Sequence, residues 1–174
     1  MRHILVVVDI QKDFVDGALG TAEAAAMVEK AARKIRDFDG DIFVTYDTHF
    51  ENYMETAEGK KLPVSHCIKG TPGWELDERI TNALEGKVFT AVEKLTFGST
   101  QLPEKVKELV GDEDFDITLI GLCTDICVVS NALILKANFP EKEIYVDASR
   151  CAGVTVDSHN AALTTMKMCQ INIL

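Results

Sequence analysis

The stretch Ile117-Thr118-Leu119-Ile120-Gly121-Leu122-Cys123-Thr124-Asp125-Ile126-Cys127-Val128-Val129-Ser130-Asn131 decides the fold of this chain. Its first four residues form an apolar, β-branched run that stops at Gly121, and helix-compatible residues then continue to about Ala137. This pattern predicts a strand that leads directly into a helix. Cys127 lies in the first turn of that helix, where unpaired backbone N–H groups and the helix dipole stabilise an anion such as a thiolate. Cys127 is therefore a candidate nucleophile, although free cysteines are also commonly small buried hydrophobes.

Outward from this stretch, strands and helices alternate along the chain. Strands are predicted at Ile4–Val8, Ile42–Tyr46, Lys87–Lys94, Asp116–Ile120, Glu143–Val146 and Ile171–Leu174. Helices are predicted from Thr21 to Asp39-Gly40, at Glu75–Leu84, Glu104–Val110 and Ile126–Asn138, and from the capping residues Val156-Asp157-Ser158 to about Met168. Such alternation predicts an α/β fold with a doubly wound, mainly parallel sheet of about six strands and helices on both faces. We expect one domain over residues 1–174.

Composition narrows the classes of partner and compartment. The 174 residues are 47% hydrophobic, which is enough for one sizeable core. Eighteen basic minus 28 acidic residues leave a net charge of −10, which disfavours nucleic acid and anionic membranes as partners. The N-terminal apolar run Ile4–Val8 is too short for a secretory signal or a membrane span. Five irregularly spaced cysteines argue against a disulfide framework, so we expect a cytoplasmic protein.

Polar residues follow three of the predicted strands. Asp9 comes after the first strand, Lys94 ends the third, and Cys127 follows the fourth. Ligands bind at the carboxyl ends of the strands in open parallel sheets, and a nucleophilic thiol needs both a base and a cation. An aspartate after a strand is more often a turn residue, and a lysine there is usually a surface charge. The three together predict a cysteine nucleophile assisted by Asp9 and Lys94.

A second polar cluster lies directly before and within the long segment Thr48–Gly73, which has no clear period and four glycine or proline breakers. Its candidate metal ligands are Asp47, His49, Glu58 and His66. Carboxylate oxygens and imidazoles suit divalent Zn, Mn or Fe, and two of the four histidines of the chain lie here. The alternative is that these are loop side chains facing water.

Several motifs, in order along most of the chain, resemble those of one known superfamily. They are Val8-Asp9-Ile10-Gln11-Lys12-Asp13-Phe14, Asp47-Thr48-His49 with His66-Cys67, Gly70-Thr71-Pro72-Gly73, Glu93-Lys94-Leu95-Thr96-Phe97-Gly98-Ser99, and Gly121-Leu122-Cys123-Thr124-Asp125-Ile126-Cys127-Val128. On these motifs the chain resembles the isochorismatase-like cysteine hydrolases, and among them most closely the nicotinamidase-related amidohydrolases.

This resemblance implies a three-layer α/β/α fold and a catalytic triad of Asp9, Lys94 and Cys127. It also implies a cis peptide bond between Leu122 and Cys123. The backbone N–H groups of Cys123 and Cys127 would then form an oxyanion hole. The implied reaction is hydrolysis of a small amide through a thioester intermediate, with a divalent metal, Zn or alternatively Mn or Fe, assisting substrate binding. Relatives form dimers or tetramers, so a homo-oligomer is expected.

The identity of the substrate stays open at this point. Phe14 is expected to form one wall of the substrate site, but Leu62-Pro63-Val64-Ser65, just before His66, lacks the aromatic residue that nicotinamidases usually carry there. Relatives with the same triad hydrolyse carbamoyl, ureido or other small amides. A non-catalytic binding protein and a thiol redox protein using Cys123 are the alternatives from other classes.

Overall fold

A computed structural model, which describes residues 1–174, contains a single sheet in which every strand runs parallel to its neighbours. Its strands are β1 Arg2–Val8, β2 Asp41–Asp47, β3 Phe89–Lys94, β4 Phe115–Leu122, β5 Ile144–Ala152 and β6 Asn172–Ile173. The order across the sheet is β3-β2-β1-β4-β5-β6. The predicted parallel sheet of about six strands is therefore confirmed.

The helices cover both faces of this sheet. They are α1 Lys12–Val15, α2 Ala22–Asp37, α3 Ala57–Lys61, α4 Glu78–Ala83, α5 Gln101–Val110, α6 Val129–Asn138 and α7 Val156–Met168. Thr21 caps α2 as predicted, because its Oγ1 accepts a hydrogen bond of 3.0 Å from the Ala24 N–H. Not one of these helices has the length and apolar character needed to cross a bilayer.

Alternating side chains of β1 divide the interior into two cores. Ile4, Val6 and Val8 are fully buried on the face that packs against α5, α6 and α7. Leu5 and Val7 are equally buried on the opposite face, against α1, α2 and α4. A strand buried on both faces reads as a continuous apolar run, as the segment Ile4–Val8 does. The three-layer α/β/α arrangement follows from these two cores.

The strand order reverses at β1, which pairs with β2 on one side and β4 on the other. Ligands bind at such a switch point, beyond the carboxyl ends of the strands. Asp9 follows β1 there, and the turn after β4 carries Cys123 and Cys127. The topology thus brings residues that are more than a hundred positions apart to one crevice.

Several local predictions differ from the structure. The helix after β4 begins at Val129 and not at Ile126, because a π-helical turn at Thr124–Val128 precedes it. The segment Thr48–Gly73 is not irregular throughout, since it holds a 3-10 turn at Tyr53–Glu55 and the short helix α3. Strand β5 extends to Ala152 beyond the predicted end at Val146, where the sequence turns polar, and a register shift on β4 accommodates this. The cap of α7 is Thr155, whose side chain forms a capping box with Ser158.

Candidate active site

The turn from β4 into α6 places Cys127 in the crevice. Gly121 has a φ of 126°, and a Cβ there would lie 2.1 Å from the Val8 carbonyl oxygen, so only glycine allows β4 to approach the end of β1. The Leu122–Cys123 peptide bond is cis. A π-helical turn at Thr124–Val128 then leads into α6 and buries Cys127.

Lys94 is the centre of the predicted triad. Its Nζ lies 2.6 Å from Asp9 Oδ2 and 3.4 Å from Cys127 Sγ, and all three side chains are buried. The same ammonium donates to the Thr96 carbonyl at 3.3 Å. The structure therefore brings together the three side chains that the strand ends predicted as base, cation and nucleophile.

Asp9 is held in an unusual conformation directly after β1. Its φ is 46°, in the left-handed region that non-glycine residues rarely adopt. Thr45 supports it from β2, because the Thr45 hydroxyl donates to Asp9 Oδ1 at 2.6 Å and accepts from the Asp9 N–H at 3.2 Å. Asp9 Oδ2 lies 2.6 Å from Lys94 Nζ, whereas Oδ1 is occupied by the Thr45 hydroxyl. We therefore expect Oδ2 to be the oxygen that takes a proton.

Burial sets the protonation states of the triad. Burial raises the pKa of Asp9, and burial together with the Asp9 charge raises the pKa of Cys127 well above its usual value. Burial alone would lower the pKa of Lys94, but the charges of Asp9, Cys127 and Asp47 outweigh it and raise that pKa. These directions favour an ammonium at Lys94 and a neutral thiol at Cys127 in the free protein. Desolvation and the Asp9 charge thus act against the thiolate that the helix dipole favours.

The backbone at Cys123 fits the expected oxyanion hole. Cys123 lies between β4 and the π-helical turn, and its N–H donates no hydrogen bond within the protein. Its carbonyl is instead used, accepting from the Ile126 and Val128 N–H groups at 3.1 and 3.0 Å. Burial raises the pKa of the Cys123 thiol to about 12, which leaves it an inert side chain near neutral pH.

The four predicted metal ligands meet beside the triad. His49 Nε2 and His66 Nε2 lie 3.1 and 3.4 Å from Asp47 Oδ2. Glu58 Oε1 lies 3.6 Å from both imidazole nitrogens, and its side chain is more exposed than the other three. One ligand atom each from Asp47, His49 and His66 lies within 4.8 Å of the others, a spacing that could hold a metal ion.

The chemistry of these donors also fits a divalent metal. His66 Nδ1 lies 2.8 Å from the Val64 carbonyl oxygen, a contact that keeps a proton on Nδ1 and turns Nε2 towards Asp47, where a metal could replace the Nε2 proton. Burial would raise the pKa of Asp47, but hydrogen bonds from His49 and His66 and the charge of Lys94 hold it below its usual range. The aromatic ring of Tyr53 packs edge-on against both imidazoles, at 4.7 and 5.0 Å between ring centroids. The cluster is thus a pre-formed set of hard oxygen and imidazole donors.

A cavity of about 200 Å³ opens above Cys127 and the metal cluster. Most of its wall is apolar, and its lining consists of Phe14, Leu19, Thr21, Ala24, Asp47, Glu58, Leu62, His66, Phe97, Cys123, Ile126, Cys127 and Val154. Neither lysine nor arginine lines it. The arrangement suits an uncharged ligand that places a reactive carbonyl near sulfur.

The structure places Phe14, the expected wall residue, at the cavity and adds a second aromatic residue. Phe14 lines the cavity and packs edge-on against His66, with ring centroids 5.4 Å apart. Trp74 does not line it, since its indole stacks on Tyr46 at 5.1 Å and donates to Thr48 Oγ1 at 3.0 Å. Phe97 forms a wall that the sequence did not single out, although it lies only three residues after Lys94.

Gln11 is a second residue that sequence reasoning missed. Its buried amide donates to the Asp47 carbonyl at 2.9 Å and accepts from the Asp47 N–H at 2.8 Å. It also donates to the Trp74 carbonyl at 2.8 Å. Gln11 therefore links the end of β1 to Asp47, a candidate metal ligand at the end of β2. The only sign of this role in the sequence was the position of Gln11 two residues after Asp9.

Comparisons with known proteins agree with this geometry. The family model for the isochorismatase domain matches residues 3–174. The chain is 26% identical over 189 aligned positions to a nicotinamidase/pyrazinamidase of Mycobacterium tuberculosis, covering 98% of this chain and 97% of that protein. It is 32% identical over 147 positions to an uncharacterized isochorismatase family protein, PncA, of Bacillus subtilis, covering 76% and 78%. Its fold is similar to that of a pyrazinamidase of Pyrococcus horikoshii in complex with zinc, with a TM-score of 0.78, 26% identity and coverage of 100% and 99%.

Proposed function

This chain belongs to the isochorismatase family, and we propose that it is a cysteine hydrolase that cleaves the C–N bond of a small amide and releases ammonia, as a nicotinamidase does. The observation that carries the proposal is the contact of Asp9 and Lys94 with each other and of Lys94 with Cys127, which itself lines a mainly apolar cavity. These groups supply a base, a cation and a nucleophile, which is the set that covalent amide hydrolysis needs.

The geometry suggests the following sequence of steps. Asp9 Oδ2 takes the thiol proton as Cys127 Sγ bonds to the amide carbon, and the carbonyl π pair moves onto oxygen. The backbone N–H groups of Cys123 and Cys127 hold that oxyanion. Collapse breaks the C–N bond, and Asp9 gives its proton to the departing ammonia. Asp9 then deprotonates a water that hydrolyses the thioester and restores the thiol, while Lys94 balances the negative charge throughout.

The residues Asp47, His49, Glu58 and His66 would hold a divalent metal, most simply zinc as in the pyrazinamidase of P. horikoshii. When bound, the metal supplies a Lewis-acidic centre at the cavity wall that holds a ring nitrogen or a water. In this arrangement the protein residues around Cys127 break the bond, and the cluster serves to position the substrate.

The cavity lining supports an uncharged substrate. A carboxylate-bearing amide would find no lysine or arginine on the wall and would face Asp47 and Glu58. Phe14 and Phe97 offer flat apolar surfaces for a planar ring. Leu62, which lines the wall in the segment before His66, favours a second candidate, a neutral carbamoyl or ureido compound hydrolysed by the same triad.

A panel of uncharged amides tests the proposal. Nicotinamide, pyrazinamide and a neutral ureido compound are assayed for ammonia release with Zn²⁺, Mn²⁺ or Fe²⁺ added, beside a Cys127→Ala control. Release from a member of the panel that the control lacks supports the amidase. If no compound is hydrolysed and all five cysteines react equally slowly with iodoacetamide, the protein is a non-catalytic binder and the proposal fails.

Three broader properties belong to the same proposal. We propose a homo-oligomer, a dimer or tetramer, and exposed apolar side chains at the edge strand β3 support it: Val88 is 94% and Phe89 37% exposed. We also propose a single domain over residues 1–174. We propose a cytoplasmic location as well, and the five free cysteines support it. Light scattering after size-exclusion chromatography measures the oligomeric state.

A further inference from the structure

Asn131 is a fully buried polar residue that the proposed reaction does not use. It lies near the start of α6, four residues after Cys127, and its carboxamide makes three hydrogen bonds. Oδ1 accepts from the Ser99 N–H at 2.9 Å, and Nδ2 donates to the carbonyls of Cys127 at 2.8 Å and Phe97 at 3.1 Å. Two carbonyls and one N–H surround the amide, so only one orientation satisfies all three partners.

The bonds of Asn131 join two walls of the cavity. One wall is the turn that carries Cys127. The other is the segment between β3 and α5, in which Phe97 lines the cavity although 44% of its surface is exposed. This segment lies directly on α6, since a Cβ at Gly98 would come 2.4 Å from Ile134 Cδ1. Asn131 is thus the polar link between the nucleophile and the aromatic wall.

A purely helical role explains only part of this geometry. Ser130, the preceding residue, donates to the Ile126 carbonyl at 2.6 Å, and Asn138 donates to the Ile134 carbonyl at 2.9 Å. These are common bonds from a side chain to the carbonyl four residues earlier. The Asn131 bond to Cys127 is of that kind, but its bonds to Phe97 and Ser99 reach another segment.

We propose that Asn131 is a positioning residue that sets the distance between the Phe97 wall and Cys127 and thereby determines how well the site accepts a ring-bearing substrate. This inference rests on the proposed amidase function for its kinetic test. A ring gains contact with Phe97 only while the segment is held in place, because half-exposed Phe97 has no burial of its own to fix it. A small aliphatic amide does not reach that wall.

The test compares Asn131→Ser with wild type. Serine retains a donor for the Cys127 carbonyl, as Ser130 does for Ile126, but it is too short to reach Phe97 and Ser99. Asn138→Ser is the matched control, since Asn138 lies on the same helix, is exposed, and makes no bond to the Phe97 segment. We expect the KM for nicotinamide to rise about three- to tenfold in Asn131→Ser, with kcat and the kcat/KM for acetamide changed less than about twofold.

A second readout does not depend on amide hydrolysis. The rates at which Cys127 is alkylated by iodoacetamide and by N-benzyl iodoacetamide are measured by mass spectrometry of the Cys127 peptide. We expect the ratio of the benzyl rate to the iodoacetamide rate to fall about three- to tenfold in Asn131→Ser and to stay unchanged in Asn138→Ser. If the wild-type protein hydrolyses no amide, the proposed function is refuted. The ratio of the two alkylation rates then still tests the role of Asn131.

Three outcomes would overturn the role of Asn131. An equal fall in kcat/KM for nicotinamide and acetamide would show that Asn131 supports only the turn that carries Cys127. A fall in kcat at constant KM would point to the same conclusion. An unchanged alkylation ratio in a folded Asn131→Ser protein would show that the Phe97 wall holds its position without it. If Asn131→Ser fails to fold, Asn131→Asp, which keeps the acceptor for Ser99 but loses both donors, replaces it in the same comparison.

Discussion

Asp47 and Lys94 lie opposite each other at the ends of β2 and β3, and the Lys94 ammonium is 3.4 Å from Asp47 Oδ1. The other oxygen of the same carboxylate, Oδ2, is 3.1 Å from His49 Nε2. A single side chain therefore joins the triad to the metal cluster. Lys94 in turn lies between two buried carboxylates, those of Asp9 and Asp47, and offsets part of their charge.

Lys94→Met is expected to destabilise the fold as well as abolish turnover. It leaves Asp9 and Asp47 buried without their cation, and breaking a buried pair in this way costs about 3–5 kcal/mol. Urea unfolding measures the loss. The double variant Lys94→Met/Asp9→Asn removes one of the stranded charges and is expected to recover part of that free energy. A double variant no more stable than the single one would show that Asp9 is already protonated in the folded protein.

Cys127→Ala is expected to lower turnover of any accepted amide by roughly 10⁴-fold or more, as for other covalent nucleophiles. Its thermal midpoint and zinc content should stay close to those of wild type, because the substitution removes one buried sulfur and leaves the metal cluster intact. Cys169→Ala is the control, since Cys169 is exposed and distant in the fold from the cavity. Undiminished turnover in Cys127→Ala would end the cysteine mechanism.

We expect Glu58 and the buried histidines to contribute unequally to metal affinity. The Glu58 side chain is 20% exposed, and its Oε1 lies 3.6 Å from both histidine nitrogens. Glu58→Gln should therefore weaken zinc binding about 10- to 100-fold, as loss of a supporting carboxylate does. His66→Ala should weaken it further, because it removes a buried imidazole. Isothermal titration with Zn²⁺ measures both. If both variants lose the same zinc affinity, Glu58 is a full ligand. If Glu58→Gln binds zinc as tightly as wild type, Glu58 is not a ligand.

Asp77 provides a pH-dependent contribution to stability away from the cavity. Burial would raise its pKa, but hydrogen bonds from the Arg79 side chain and backbone hold the pKa below its usual value. A lowered folded-state pKa stabilises the protein above the unfolded value of about 3.9, and the contribution is lost as the pH falls through the folded pKa.

Asp77→Asn keeps an oxygen to cap α4 but removes the charge. At pH 7 we expect a loss of about 0.5–1 kcal/mol after allowance for solvent screening at exposed Arg79. Scanning calorimetry should show a midpoint about 1–4 °C lower, since about 2–4 °C corresponds to 1 kcal/mol in a chain of this length. The gap from wild type should narrow below about pH 4, where Asp77 of the unfolded chain begins to take up a proton, and should close as the pH falls through the lower folded-state pKa. A gap that is constant with pH would assign the loss to packing.

The strand ends were predictable, and the contacts between them were not. Each apolar run followed by a polar residue indicates locally where a parallel strand stops, so Asp9, Lys94 and Cys127 could be placed at one edge of the sheet. Gln11 and Asn131 could not be found in this way, because the partners that define their roles, Asp47 and Ser99, lie 36 and 32 residues away in the chain. Only the place of Gln11 two residues after Asp9 is a signal, and nothing near Asn131 in the sequence marks it as different from a surface amide.

Hydrophobic periodicity and residue chemistry were enough to establish the α/β class, the parallel sheet, the candidate nucleophile and a set of metal-binding side chains, since all of these depend on local pattern. The shift in the pKa of Cys127, the contacts of Asp47 with both Lys94 and the histidines, and the place of Phe97 in the cavity wall came from tertiary packing. Burial and short distances between remote residues control these properties. A pKa or a pocket wall is defined by what surrounds a group in space, and those surroundings exist only once the chain has folded.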